Sequence, residues 1–341
     1  MTDIQAIRCH EISEDIGAVR LETISLDPPG EGEVQVRLKA CAVNFPDLLM
    51  IQGKYQFKPP LPFSPGTEAA GDVVAVGDGV SAFDVGDRVV VALRYGGFAE
   101  AVNVPAESVQ PVPGSMSYDK AASYRTAYLT AYVALAKRGD LTPGEVLLVH
   151  GATGGVGMAA VDLGKRLGAV VIATGGSDEK LAVVKARGAD HVINYTQADG
   201  TLGGFREEVK ALTDGRGADV IYDPVGGDVF DESMRCINWG GRILTIGFTS
   251  GRWPQAPVNL ILIKQIAVIG VRAGEYGRRD PAKGREAERA LYAMAAAGEI
   301  DPYVCAGFPL ERAVEAMRML EQRRVVGKVV VTMNGFDVAS P

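Results

Sequence analysis

The chain has 341 residues, more than the roughly 250–300 at which a single hydrophobic core stops growing, so two domains are expected. Hydrophobic residues make up 47% and charged residues 23%, with 42 glycines, an ordinary globular composition rich in tight turns. The formal charge of −7 argues against nucleic-acid or anionic-membrane partners, and no apolar run reaches the roughly 18 residues of a membrane span.

The opening stretch MTDIQAIRCHEISEDIG lacks the basic and apolar segments of a secretion signal, so the chain reads as cytoplasmic. Cys9, Cys41, Cys236 and Cys305 form no CxxC pair, which favours free buried thiols over disulfides or a cysteine-rich zinc lobe. The first third then reads as strands broken by glycine and proline. Residues 33–39 alternate, 71–76 and 87–92 are β-branched, and Asp78-Gly79 and Val85-Gly86-Asp87 supply turns. From Asp119 to Lys137 the alanine and leucine content predicts a long helix, ended by Arg138-Gly139-Asp140.

Short buried strands are expected next at 146–150, 170–174, 191–194, 219–223, 242–247 and 266–271, with amphipathic segments between them, among them 179–187 and 205–212. Such alternation builds a doubly wound parallel sheet, because the helices cover both faces. The tail reads helix, strand, helix, strand and is expected to fold back on the first domain.

The loop His150-Gly151-Ala152-Thr153-Gly154-Gly155-Val156-Gly157 follows the first buried strand and opens a helix. Small residues there let backbone amides approach a pyrophosphate at the positive end of the helix dipole. NAD enzymes place an acid about 20 residues further on, at the end of the second strand, to hold the ribose. Here the stretch is Thr174-Gly175-Gly176-Ser177-Asp178-Glu179-Lys180, so Ser177 and Lys180 can face a 2′-phosphate and NADPH is the expected cofactor. The alternative makes Ser177 a helix N-cap and Lys180 an exposed helix residue, and an inward-facing Asp178 would oppose phosphate.

Several motifs in order carry a resemblance: Asn44-Phe45-Pro46-Asp47, residues 65–71 (PGTEAAG), Leu129-Thr130-Ala131-Tyr132, the glycine loop, Tyr222-Asp223-Pro224-Val225-Gly226-Gly227 and Gly327-Lys328-Val329-Val330. With these the chain resembles the quinone oxidoreductase, zeta-crystallin-like branch of the medium-chain dehydrogenase/reductase superfamily. The resemblance implies an α/β protein with a GroES-like β-rich catalytic domain, residues 1–122 with 272–341, and a Rossmann domain, residues 123–271. It implies that Asn44, Thr130, Gly155, Val156, Ser177, Lys180, Tyr195, Phe248, Ser250 and Arg272 touch NADPH. Gly154 and Gly157 belong to the same loop, Gly176 stands in the place of the ribose-binding acid, and Gly226 and Gly247 leave room at the ends of the fourth and fifth strands.

Zinc-dependent relatives need a cysteine and a histidine where this chain has Asn44 and Thr67, and amide and hydroxyl groups are poor zinc ligands. No metal site is therefore expected, and His150 and His191 read as structural. Without a Lewis acid, an acceptor that spreads incoming charge through conjugation suits the site best. Tyr55 is the expected hydrogen-bond donor to its oxygen, since the family places a tyrosine there. Arg125 departs from the family pattern and reads either as a selector of anionic acceptors or as an ion-pair partner of Glu68 or Asp47. The expected activity is NADPH-dependent reduction of quinones or similar conjugated carbonyl compounds by direct hydride transfer. A 2-alkenal or enoyl-thioester reductase, and a nucleotide-binding protein without relevant turnover, remain as alternatives. The apolar run 258–271 predicts a homodimer through an exposed sheet edge.

Overall fold

The structure, a computed structural model, describes residues 1–197 and 199–338. Contacts divide it into two compact units: Met1–Arg125 with the segment from Met294 onward, and Thr126–Ala293.

In the first unit the central strand Glu33–Ala42 buries Val34, Val36, Leu38 and Ala40 while Arg37 stays exposed, the period of two that one covered sheet face demands. Its sheet runs Val304–Pro309, Lys328–Thr332, Glu33–Ala42, Glu68–Val76, Arg88–Ala92, Val109–Pro111, and Ala101–Pro105 also pairs with the central strand. The tail does return to the first domain, since Val330–Thr332 lie antiparallel to Ala40–Ala42. That pairing brings Lys328 beside Val43, whose amide donates to the Val329 carbonyl at 3.0 Å. The short helix Phe45–Ile51 leaves the central strand at Asn44 and buries Leu48, Met50 and Ile51 in the same core.

The second unit carries a six-stranded parallel sheet in the order His191–Asn194, Val170–Gly175, Val146–Val149, Ala218–Asp223, Ile237–Thr245, Ala267–Gly270. Numbered along the chain these are 3-2-1-4-5-6, the order of a dinucleotide-binding doubly wound sheet. Leu147, Leu148 and Val149 are fully buried, as strands covered on both faces must be.

Two expectations change in detail. The long helix ends as an α-helix at Tyr132 and closes with a π turn, Val133–Arg138, where the Gly139 amide reaches five residues back to Ala134. Residues 272–293, read from sequence as part of the first domain, belong to the second unit. Helix Pro281–Ala296 ties back there through Glu286, whose carboxylate pairs with Lys137 at 2.7 Å. Among the described residues no helix is long and apolar enough to cross a membrane.

Candidate functional site

Strand Val146–Val149 delivers the chain into the loop His150–Gly154 and then into helix Gly155–Arg166. Gly157 is obligatory, because a Cβ there would lie 2.2 Å from the Gly151 carbonyl oxygen. Gly154 is the helix N-cap and offers no side-chain acceptor, and the first turn holds no acid. The leading amides of this helix therefore face the loop without a protein acceptor from a capping side chain, while a Cβ added at Gly154 would meet only the Gly151 oxygen, at 3.5 Å. An anionic pyrophosphate fits such a cradle.

At the end of the second strand, a Cβ on Gly176 would sit 2.8 Å from Thr196 Oγ1, so a side chain here would have to displace that hydroxyl. Ser177 caps helix Asp178–Ala186, its Oγ accepting from the Lys180 amide at 3.5 Å. Its hydroxyl remains able to donate, so the N-cap role does not consume the residue. Asp178 Oδ1 accepts from Asn194 Nδ2 at 3.0 Å, which holds this carboxylate against the next strand. Tyr195 directly follows that strand, part-buried against Phe205.

Asp223 ends the fourth strand. Its Oδ1 accepts from the amides of Val225 (2.8 Å) and Gly226 (2.9 Å), while its buried Oδ2 finds no hydrogen-bond partner among the described residues. Burial raises this carboxyl to about 6 against the pull of the two amides. Gly226 begins the next turn at φ 68°, and Gly247, Phe248 and Ser250 follow the fifth strand. Phe248 is 41% exposed, and Ser250 Oγ accepts from the Arg252 amide at 3.3 Å. Arg272 is exposed at the start of helix Ala273–Arg279. Thr130 sits on helix Tyr118–Tyr132 and donates its hydroxyl to the Thr126 carbonyl at 2.7 Å. The glycine loop, Gly176, Ser177, Tyr195, Gly226 and Gly247 thus lie just past the carboxyl ends of the parallel strands, where doubly wound sheets bind nucleotides.

His150 is structural, as its sequence context suggested. Ser233 Oγ donates to the Val229 carbonyl (2.7 Å) and so accepts from His150 Nε2 (2.8 Å), which leaves Nδ1 to accept from Thr174 Oγ1 at 2.8 Å. Burial lowers this imidazole to about 3, and it is neutral at physiological pH.

The first unit holds a buried polar cluster. Lys328 Nζ contacts Asn44 Oδ1 at 2.6 Å, Glu68 Oε1 at 3.1 Å and the Val43 carbonyl at 3.5 Å. Asn44 Nδ2 donates to Glu68 Oε1 (3.0 Å) and Thr67 Oγ1 (3.2 Å). Asp47 accepts from the amides of Asn44 (2.7 Å) and Gly66 (3.0 Å), and burial raises its carboxyl to about 7. Cys41 lies fully buried, and a Cβ on Gly66 or Gly97 would come within 2.8 or 2.6 Å of its sulfur. Desolvation pushes that thiol far up, so it is an inert packing group.

Of the two sequence candidates for contact with the reacting acceptor, Tyr55 is part-buried against the core of the first unit, and its hydroxyl makes no hydrogen bond among the described residues. Arg125 is part-buried on helix Tyr118–Tyr132. Sequence reasoning missed the role of Lys328, although its motif was noted, because its partners lie 260 and 284 residues away. It also missed Arg94, whose guanidinium lies 3.7 Å over the Phe57 ring, itself stacked on Tyr95.

Residues 30–114 match the family described as "Alcohol dehydrogenase GroES-like domain", and residues 155–296 match the one described as "Zinc-binding dehydrogenase". The chain is 38% identical over 329 residues to the quinone oxidoreductase-like protein 2 homolog of Nematostella vectensis, covering 96% of this chain and 88% of that one. It is 34% identical to the human synaptic vesicle membrane protein VAT-1 homolog, with 92% and 82% covered. Among solved structures, Escherichia coli quinone oxidoreductase complexed with NADPH superposes with a TM-score of 0.86 at 32% identity, with 96% and 100% covered. A structure described as an NAD-dependent alcohol dehydrogenase reaches 0.87, also at 32%, with 97% and 100% covered. The chain belongs to the zinc-free quinone oxidoreductase branch of the medium-chain dehydrogenase/reductase superfamily and is a nicotinamide-dependent oxidoreductase.

Proposed function

We propose that the protein reduces quinones or similar conjugated carbonyl compounds with NADPH by direct hydride transfer. The observation that carries this reading is the cluster around Asn44. Where a metal-dependent relative would need soft donors, the amide, Glu68 and Lys328 spend their polar groups on one another. An acceptor that takes up charge by conjugation needs orientation and a hydrogen-bond donor rather than a Lewis acid.

When bound, NADPH supplies the hydride. Its pyrophosphate is assigned to the amides of Gly155, Val156 and Gly157, with Gly154, whose own amide donates to the Gly151 carbonyl at 3.0 Å, leaving room beside them, and the 2′-phosphate to Ser177 and Lys180. Related structures carry either nicotinamide cofactor in their descriptions, so the preference rests on this chain's own residues. Gly176 stands where the ribose-binding acid would be, and Asp178 is held by Asn194. Tyr195, Gly226, Gly247, Phe248, Ser250, Arg272, Thr130 and Asn44 complete the assigned contacts. Tyr55 and Arg125 are assigned to the acceptor.

A panel of quinones, 2-alkenals and enoyl-thioesters assayed by NADPH oxidation at 340 nm tests the reading. Quinones turned over with the highest kcat/KM support it, preference for an alkenal or thioester moves the activity to that class, and no oxidation with any of them removes the enzyme reading.

The assembly assigned is a homodimer. Strand Ala267–Gly270 ends the sheet, and the adjoining helix Val258–Lys264 exposes Val258 (77%), Leu262 (78%) and Ile263 (69%). A second copy pairing edge to edge about a two-fold axis would cover both features. A monomeric mass by light scattering at micromolar concentration overturns it.

A further inference from the structure

The hydrogen bonds of the Asn44 cluster determine where the protons of Lys328 and of the Asn44 amide point. An ammonium has three protons, and Lys328 Nζ meets three oxygens, those of Asn44, Glu68 and Val43. The amide of Asn44 is thereby oriented: its oxygen faces the ammonium, and its two N–H bonds go to Glu68 and Thr67. Thr67 Oγ1 is therefore an acceptor from Asn44, and its own proton must point elsewhere. That proton reaches no acceptor among the described residues. Asn44, Asp47, Glu68 and Lys328 are all buried, whereas Thr67 is only partly so. Among the described residues the half-buried edge of the cluster thus carries a polar hydrogen without an acceptor, that of a threonine hydroxyl whose rotation is restrained from behind.

Restrained donors of this kind stabilise developing charge because they need no reorganisation when it forms. Lys328 also balances the Glu68 carboxylate, so the hydroxyl is not backed by an uncompensated negative charge. We propose that Thr67 is a catalytic hydrogen-bond donor to the carbonyl oxygen of the acceptor, with Asn44, Glu68 and Lys328 as positioning residues that aim it. The proposal rests on the hydride-transfer reading above. In that step the hydride leaving the C–H bond of the bound dihydronicotinamide would form a C–H bond at the electrophilic carbon of the acceptor, the C=C π pair would shift toward the carbonyl carbon, and the C=O π pair would move onto the carbonyl oxygen. The dihydronicotinamide is oxidised, the acceptor is reduced, and the proton that neutralises the oxyanion comes from solvent water. Thr67 donates a hydrogen bond throughout and keeps its proton.

Two measurements on the full-length protein and its Thr67→Val and Thr67→Ser variants test this. The first is titration of 4-nitrophenol bound in the presence of saturating NADP⁺, read by phenolate absorbance, which reports on the oxygen site without turnover. Wild type and T67S are expected to bind a phenol whose pKa lies about one unit below that in T67V, a tenfold difference in ionisation. The second is kinetic: T67V is expected to lose roughly 10–100-fold in kcat/KM for the acceptor with KM for NADPH unchanged, and T67S to recover most of it. Lys328→Met is expected to raise the bound phenol's pKa in the wild-type background but not in T67V, which separates aiming from mere support of the fold. Equal phenol titrations in wild type and T67V overturn the donor role whatever the turnover, and additive effects of K328M and T67V overturn the positioning role. Failure of the wild type to oxidise NADPH with any conjugated acceptor instead overturns the functional reading, and the phenol titration keeps the two failures apart.

Discussion

The nucleotide half of the second unit and the polar cluster of the first solve opposite problems with opposite materials. The first uses main chain: glycines that remove side chains, an N-terminus without a capping side chain, and Asp223 holding two amides of the turn after the fourth strand. The second uses side chains drawn from the starts of two strands and of a helix, locked by mutual hydrogen bonds in a buried setting. A main-chain cradle tolerates changes around it as long as its glycines stay. A buried side-chain cluster is sensitive at every member, because each lost partner strands another polar group away from water.

Stability measurements should expose that difference most strongly at Lys328. Replacing it by methionine removes the cation from beside buried Glu68 and is expected to cost about 3–5 kcal/mol in guanidinium unfolding. The double variant Lys328→Met/Glu68→Gln should recover much of that loss. If the single and double variants unfold alike, the pair is not the source of the cost.

A smaller, pH-dependent effect belongs to Asp223. Below about pH 3.8 the carboxyl is protonated in both states. Between 3.8 and about 6 the folded state keeps a proton that the unfolded chain releases, so the contribution of Asp223 to wild-type stability falls as pH rises through this window and is level beyond it. Asp223→Asn keeps the acceptor for Val225 and Gly226 but does not titrate, so its stability relative to wild type should climb by about 3 kcal/mol across the window. His150 works in the other direction, since its imidazole is neutral when folded and favours folding above pH 6.5, an advantage lost as pH falls toward 3. It is common to both proteins and cancels in the difference. A pH-independent difference would show that Asp223 ionises as freely as in the unfolded chain.

The smallest expected change tests the cradle itself. Lys180→Ala should raise the Kd for NADPH about tenfold, by loss of one charge-assisted contact, while leaving NADH binding nearly unchanged. Equal effects on both cofactors, read by quenching of protein fluorescence, would move Lys180 away from the 2′-phosphate.

The two regions also differ in how far they could be read in advance. The parallel sheet was legible because each strand is a short apolar run bounded by glycine and the loop motif is contiguous. The exposed last strand and the nucleotide edge follow from that local pattern, whereas the order of the strands is set by tertiary pairing and was seen only in the fold. The helix through residues 119–137 was legible too, but its π ending was not, since the pattern of apolar residues does not distinguish a helix that closes five residues back from one that closes four. The sequence put the return of the chain at residue 272, whereas contacts group residues up to Ala293 with the second unit. What decides is that Lys137 lies against Glu286.

By itself, then, the sequence determined the strand-and-helix alternation, the glycine loop, the absence of an acid after the second strand, and the replacement of soft metal donors by Asn44 and Thr67. The first three are properties of contiguous residues that local sterics and periodicity suffice to read, and the last is what the resemblance to the family implies. Only the tertiary structure decided what Asn44 and Thr67 do there. Folding the tail strand Lys328–Thr332 against Glu33–Ala42 brings an ammonium from near the end of the chain to the amide near its start. Hydrogen-bond direction is set by such partners rather than by neighbours in sequence, which is why the outward hydroxyl proton of Thr67 became visible only in three dimensions.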